Sequence, residues 1–261
     1  MLNISKNKQT LLFLLLAALF ITNALMAEFI GVKIFSLEKS FGIRLFDINF
    51  LGMEHLSFNL TAGVLLWPIV FILTDIINEY YGTKGVKFLS YLTSVMIAYA
   101  FIVVKFAINL SPADFWPKSH LALQPQSEVL NLNSAYSLIF GQGLWIIIGS
   151  LVAFLIGQII DVYVFHKIKE STGESRIWLR STGSTLVSQF IDSYVVLVIA
   201  FYIGAGWPLK MVLAIGTINY IYKFFVAILM TPVIYLVHDL IERFLGHELA
   251  SKMKTESLLT S

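Results

Sequence analysis

The sequence predicts an all-α polytopic membrane protein with six transmembrane helices and both termini on the cytoplasmic side. Three observations predict it. Apolar residues fill 57% of the 261 positions and charged residues only 13%, against about half and a quarter in soluble domains. Mean hydropathy is +0.80, and six stretches approach or exceed the roughly 20 apolar residues that one bilayer crossing takes. Basic residues then alternate between the two sides of those stretches in the sense that the positive-inside rule requires.

The spans fall at 11–34, 60–78, 88–110, 138–161, 185–207 and 211–236. The first imitates a secretory signal: Lys6 and Lys8 precede an apolar run, and Ala24-Leu25-Met26-Ala27 resembles a cleavage site. Apolar character nevertheless continues to Phe35, interrupted only by Glu28 and Lys33, which is longer than a signal core and favours a retained helix. Ala27-x-x-x-Gly31 on it is a small-residue spacing suited to helix contact. Long external loops at 36–58 and 111–135 read as tethers or as a cover over an outward-facing pocket. Trp116, with Pro112, Pro117 and Pro125, suggests that the second rests on the membrane surface. Residues 1–245 form one membrane domain, and 246–261 read as a disordered cytoplasmic tail, being short, polar and without apolar periodicity.

Lys6, Lys8, Lys84, Lys87, Lys167, Lys169, Arg176, Arg180, Arg243, Lys252 and Lys254 fall on the side assigned to the cytoplasm. They outnumber Lys33, Lys39, Arg44, Lys105, Lys118 and Lys210 opposite. The absence of cysteine excludes disulfides, thiolate metal ligands and thiol nucleophiles. There is no phosphate loop, H-E-x-x-H or G-x-S-x-G motif. The expectation is a non-enzyme without cofactor or metal, with the lipid bilayer and a small molecule as partners and no nucleic acid. Homo-oligomerisation and an energising partner stay open.

Ionisable groups at mid-membrane depth cost about 2.5–3.5 kcal/mol, so those that remain usually face a protein-lined cavity or one another. In the fifth span Gln189 and Asp192 share a face; in the sixth, Lys223 lies at matching depth, placed to pair with Asp192. Near the end of the second span Asp75, Asn78 and Glu79 fall on one side. Gln158 and Asp161 repeat the Gln-x-x-Asp spacing in the fourth span, and Asn23 is the polar residue of the first. The structural reading of these groups is a buried ion pair for Asp192 and Lys223, a helix stop for Asp75, Asn78 and Glu79, a solvated interface at the helix end for Gln158 and Asp161, and a packing hydrogen bond for Asn23. The functional reading is a solute pathway.

Four stretches in order carry a family resemblance: Thr74-Asp75-Ile76-Ile77-Asn78-Glu79-Tyr80-Tyr81-Gly82, Gly157-Gln158-Ile159-Ile160-Asp161, Arg180-Ser181-Thr182-Gly183-Ser184-Thr185 leading to Asp192-Ser193, and Tyr222-Lys223. Over about residues 60–230 the chain resembles the VUT-type queuosine precursor transporters. The resemblance implies a six-helix uptake transporter of the bacterial inner membrane for deazaguanine bases salvaged for tRNA modification. Its candidate solute-binding residues are Asn23, Asp75, Asn78, Glu79, Gln158, Asp161, Gln189, Asp192 and Lys223. A carboxylate can accept the two adjacent N–H donors of a guanine-like edge while a Gln or Asn amide meets the rest. Alternatives are transport of another vitamin-like heterocycle, or an intramembrane enzyme, for which no paired acidic motif is present. The family is also distantly similar to the substrate-binding subunits of energy-coupling-factor transporters.

Overall fold

A computed structural model describes residues 7–122, 129, 131–172 and 176–259. Lys6 and Pro125 of the sequence reading lie outside these residues. Among the described residues five helices are long and apolar enough to cross a membrane, where six were expected. The difference lies at one glycine. The second and third spans run together in α3 (Trp67–Ile108), whose 42 residues are interrupted only at Gly82 (φ 70°, ψ −176°). That backbone conformation is open essentially to glycine alone, so the helix turns there without a connecting loop. The expected link between these spans is otherwise helical.

Helix α1 (Lys8–Ile30) starts where the Asn7 side chain accepts the amides of Gln9 and Thr10, satisfying two of the donors a helix start leaves free. Its buried stripe, Leu12, Leu16, Phe20, Ala24 and Ala27, lies against α3. Ala27 meets the short 3₁₀ turn Ala62–Leu65 that leads into α3, and a Cβ on Gly63 would stand 2.7 Å from the Ala27 carbonyl oxygen. The first loop is folded. β1 (Ile34–Ser36) pairs antiparallel with β4 (Asn59–Thr61), enclosing α2 (Leu37–Ser40) and the hairpin of β2 (Ile48–Phe50) and β3 (Met53–Leu56). Glu38 is fully buried beneath them and accepts the Phe58 amide at 2.8 Å and the Ser36 hydroxyl at 3.0 Å.

The second loop holds a 3₁₀ segment (Trp116–Ala122) and α4 (Leu132–Phe140), joined by an edge-on contact of Trp116 with Tyr136. α4 takes in the first residues of the expected fourth span, which continues into α5 (Leu144–Thr172). α6 (Ile177–Leu197) runs into a π-helical turn (Val198–Ile203), and α7 (Leu209–Leu245) carries Pro232.

The segment expected as a disordered tail instead contains α8 (His247–Leu259), packed against α3 and α7. Its buried residues, Ala250, Met253, Lys254 and Ser257, recur at helical spacing. Lys254 pairs with Glu242 and lies over the Tyr80 ring. Low hydropathy hid the helix, because half of its buried face is polar and held by hydrogen bonds rather than by apolar area.

Candidate functional site

α5 and α6 pack as antiparallel neighbours along small residues. Gly149, Ala153 and Gly157 recur every fourth residue on the buried side of α5 and Asp161 continues the row. A Cβ on Gly149 would lie 3.1 Å from the Val196 carbonyl oxygen, so the two backbones meet there without side chains between them. The register makes the two Gln-x-x-Asp stretches reciprocal. Asp161 accepts the Ser188 hydroxyl at 3.0 Å, while the Asp192 side chain lies 3.7 Å from the Cβ position of Gly157. Each Asp therefore packs on the residue that precedes the other helix's Gln.

α3 adds a third wall. Asp75 accepts the Ser181 hydroxyl, and its carboxyl is within side-chain hydrogen-bonding reach of Asp161. Ser184 of α6 gives its hydroxyl to the Ser181 carbonyl at 3.1 Å. One turn along α3, Glu79 is fully buried between two cations: Arg180 Nη2 donates to Oε1 at 2.7 Å, and Lys169 Nζ lies 3.2 Å from Oε2. Lys169 also donates to Ser257 Oγ of α8 at 3.1 Å, and Ser257 in turn donates to the Glu79 carbonyl at 2.8 Å. Lys169 and Arg180, expected in a cytoplasmic loop, are thus interior helix residues.

Beside this network lies a cavity whose empty space, part of it continuous with the outside, is about 500 Å³, lined by residues from Val64 to Ile234 of α3, α6 and α7 and of the 3₁₀ turn before α3. Trp67, Phe71 and Tyr222 supply aromatic wall, and Asp75, Thr182, Thr185, Gln189 and Lys223 supply the polar groups. Its composition suits a small flat molecule held by a few placed polar contacts. Asp75 Oδ1 and Gln189 Nε2, on two of these side chains, are buried without a hydrogen-bond partner among the described residues. One is an acceptor and the other a donor.

The family model described as "Putative vitamin uptake transporter" matches residues 61–237. The chain belongs to this family. Every residue that lines the cavity falls within the matched stretch, whereas α1 and α8 lie outside it. Among similar members of known naming, the "Probable queuosine precursor transporter" of Bacillus subtilis (strain 168) is 30% identical over 72% of this chain and 76% of its own length. The "Queuosine precursor transporter" of Escherichia coli (strain K12) is 24% identical over 81% of this chain and 86% of its own. No solved structure matches the chain.

In this member of the vitamin uptake transporter family, the residues singled out in the sequence separate into groups. Asp75, Gln189 and Lys223 line the cavity. Asp192 stands at its edge, 2.5 Å from Lys223 Nζ, so the pairing expected from matched depth is present. Asp161 and Glu79 belong to the buried network behind Asp75, with Asn78 buried on the same stretch of α3. Gln158 turns elsewhere: its Oε1 accepts Thr74 at 3.0 Å, and it borders a smaller cleft with Ser90 and Tyr91. Asn23 stands apart, bonded to the Leu19 carbonyl of its own helix at 2.8 Å. Sequence reasoning missed Trp67, Thr182, Thr185 and Tyr222 as cavity residues, and Glu28, which is buried, accepts the Ser150 hydroxyl and lies within the field of Asp192. Glu28 carried a signal, an acidic residue inside an apolar run. Thr182, Thr185 and Tyr222 stood within the stretches that carry the resemblance but were not singled out there, because Trp, Thr and Tyr are ordinary in membrane helices.

Proposed function

We propose that this chain is an inner-membrane uptake transporter for queuosine precursors, 7-deazaguanine bases, and that the cavity between α3, α6 and α7 receives the base. The observation that carries this reading is the pair of buried, unpartnered atoms on cavity side chains, Asp75 Oδ1 and Gln189 Nε2. A guanine-like edge offers adjacent N–H donors for the carboxylate and a carbonyl oxygen for the amide, so it meets both groups that the protein leaves unmet. Trp67 and Phe71 provide apolar walls for the ring faces. Asp192 is neutralised by Lys223, so Asp75 takes the recognition role.

The membrane topology is part of the proposal. α3 is about 63 Å long by its residue count, about twice the hydrocarbon thickness. We read it as two crossings that turn at Gly82, which makes six and puts both termini in the cytoplasm with Lys8, Lys84, Lys87, Lys167 and Arg243.

The deciding experiment is uptake of labelled 7-deazaguanine by cells that cannot make the base, with and without this chain. Uptake should depend on the chain and be competed by bases with the amino-lactam edge, less by an analogue lacking the exocyclic amine. Competition by an unrelated vitamin, with indifference to the amine, would favour the broader vitamin reading that the family's description carries.

A further inference from the structure

Among the described residues, the cluster of Asp75, Glu79 and Asp161 holds one carboxyl more than its two cations, Arg180 and Lys169, balance. Asp75, Glu79 and Asp161 are each exposed by 1% or less, and so are the guanidinium of Arg180 and, within 2%, the ammonium of Lys169. Both cations contact Glu79. What remains is Asp75 against Asp161, two carboxyls within hydrogen-bonding reach of each other. Serine hydroxyls donate to one oxygen of each: Ser181 to Asp75 Oδ2 and Ser188 to Asp161 Oδ1. The other two oxygens, Asp75 Oδ1 and Asp161 Oδ2, are buried and receive no donor among the described residues. Two charged carboxylates at this separation repel strongly in a water-poor interior, and one proton between them removes the repulsion. The same proton makes the group of five neutral.

We propose that Asp75 and Asp161 form a proton-binding site that couples transport to the proton gradient: one proton taken up from outside is shared between them in the solute-free protein that opens outward, is confined to Asp161 when the N–H donors of a solute occupy Asp75, and leaves to the cytoplasm once the solute has left, so that the empty protein returns without it. No bond other than the O–H moves, and Asp75 is left as the carboxylate acceptor that the solute requires. The second half rests on the function proposed above, because it needs Asp75 to meet the solute in the cavity. The other titratable groups on the helices packed around the pair have partners of their own: His238 of α7 bonds Tyr80, Lys254 of α8 pairs with Glu242, and Lys223 of α7, which lines the cavity with Asp75, pairs with Asp192.

Two measurements test this. The first needs no solute. Infrared spectra of the purified full chain, in a Glu28→Gln background that removes another buried carboxyl, should show a protonated-carboxyl stretching band at neutral pH. Asp161→Asn and Asp75→Asn should each abolish it, since an amide supplies the missing donor and the remaining carboxyl ionises. A band that persists in whichever of these variants folds, or that is absent from the parent, overturns the site. The second is uptake of a cyano-substituted 7-deazaguanine into proteoliposomes with the membrane voltage clamped at zero. One proton per solute gives about tenfold accumulation for each unit of pH difference, acid outside. The parent should approach that ratio and Asp161→Asn should only equilibrate the base. Equilibration by the parent overturns coupling. If the parent takes up none of the base, the solute assignment fails, while the infrared band still decides the proton site.

Discussion

Lys223 and Asp192 meet 2.5 Å apart at the edge of the cavity, joining α7 to α6, and their side chains retain 16% and 20% exposure. That residual exposure separates the pair from the sealed Glu79 network behind it. It also sets the cost of breaking it. Removing one partner of a fully buried pair costs about 3–5 kcal/mol, and partial access to the cavity reduces that. Lys223→Met should lower the thermal stability of the purified protein by about 2 kcal/mol, with most of the loss recovered in Lys223→Met with Asp192→Asn. Equal loss in the single and double variants, followed by melting in detergent, would show that the contact does not bind the helices together.

The two glutamines should separate. Gln189 lines the cavity with an unpartnered amide, whereas Gln158 is tied to Thr74 on the side of α5 that meets α3. Gln189→Ala should raise the half-saturating concentration for deazaguanine uptake about tenfold, equivalent to one lost buried hydrogen bond of about 1.4 kcal/mol, at unchanged protein level. Gln158→Ala should alter that concentration by less than about threefold and lower stability instead. Uptake assays paired with quantitation of membrane protein would read both.

Gly82 holds α3 at its turn with φ of 70° and ψ of −176°. Gly82→Ala places a Cβ in a region that other residues enter only at a cost of about 1–3 kcal/mol. The melting temperature should fall. Because the turn positions Asp75 and Glu79 above it, uptake per molecule should fall as well. An unchanged melting curve would mean that α3 tolerates a continuous helix through residue 82.

The folded first loop carries a pH dependence of its own. Burial pushes the Glu38 carboxyl up, but the Phe58 amide and the Ser36 hydroxyl outweigh it and hold the group below its ordinary 4.5. A carboxyl lowered on folding contributes stability that is present above its unfolded pKa and is lost as pH falls through the folded value. Protease protection of residues 36–58 should thus be constant near neutrality and decline on acidification below about 4.5. Glu38→Gln should be less protected at neutral pH and lose that acid dependence.

Removing α8 tests the interior network from outside. Deletion of residues 247–261 takes Ser257 from Lys169 and from the Glu79 carbonyl, and Lys254 from Glu242. The Glu79–Arg180 contact is untouched by the deletion. The shortened chain should insert and melt earlier, because each of these hydrogen bonds stabilises the fold by about 1 kcal/mol. Melting at the parent temperature would show that α8 is an appendage.

How much was legible follows from what each signal measures. Hydropathy reports the energy of placing a segment in lipid, so it found every long helix from residue spacing alone. It is blind to a single backbone torsion, and so it separated α3 into two spans joined by a link where the chain turns at Gly82. It is equally blind to a helix whose buried face is partly polar, which is why α8 read as a tail. The i, i+3 spacing of Gln189 with Asp192 and the depth of Lys223 were visible because helical geometry is periodic. Asp75 stood out for the cost of a carboxyl in an apolar run, whereas Asp161, near the end of its span, read almost as well as a residue at a solvated interface.

What the sequence by itself determined is therefore the class of the protein, the polar positions inside the membrane and the family to which they belong. Only the tertiary structure decided which of those positions act together. Asp75 lies 86 residues before Asp161 in the numbering, and the two carboxyls meet because small residues on α5 let α6 approach closely while α3 closes the third side. It also decided that Lys169 and Arg180 neutralise Glu79 rather than mark a loop, that Gln158 faces away from the cavity while Gln189 lines it, and that Asn23 bonds its own helix. Helical spacing states which way a side chain points on its own helix; which neighbour stands there depends on how the helices turn about one another, and that is settled by packing over the whole bundle.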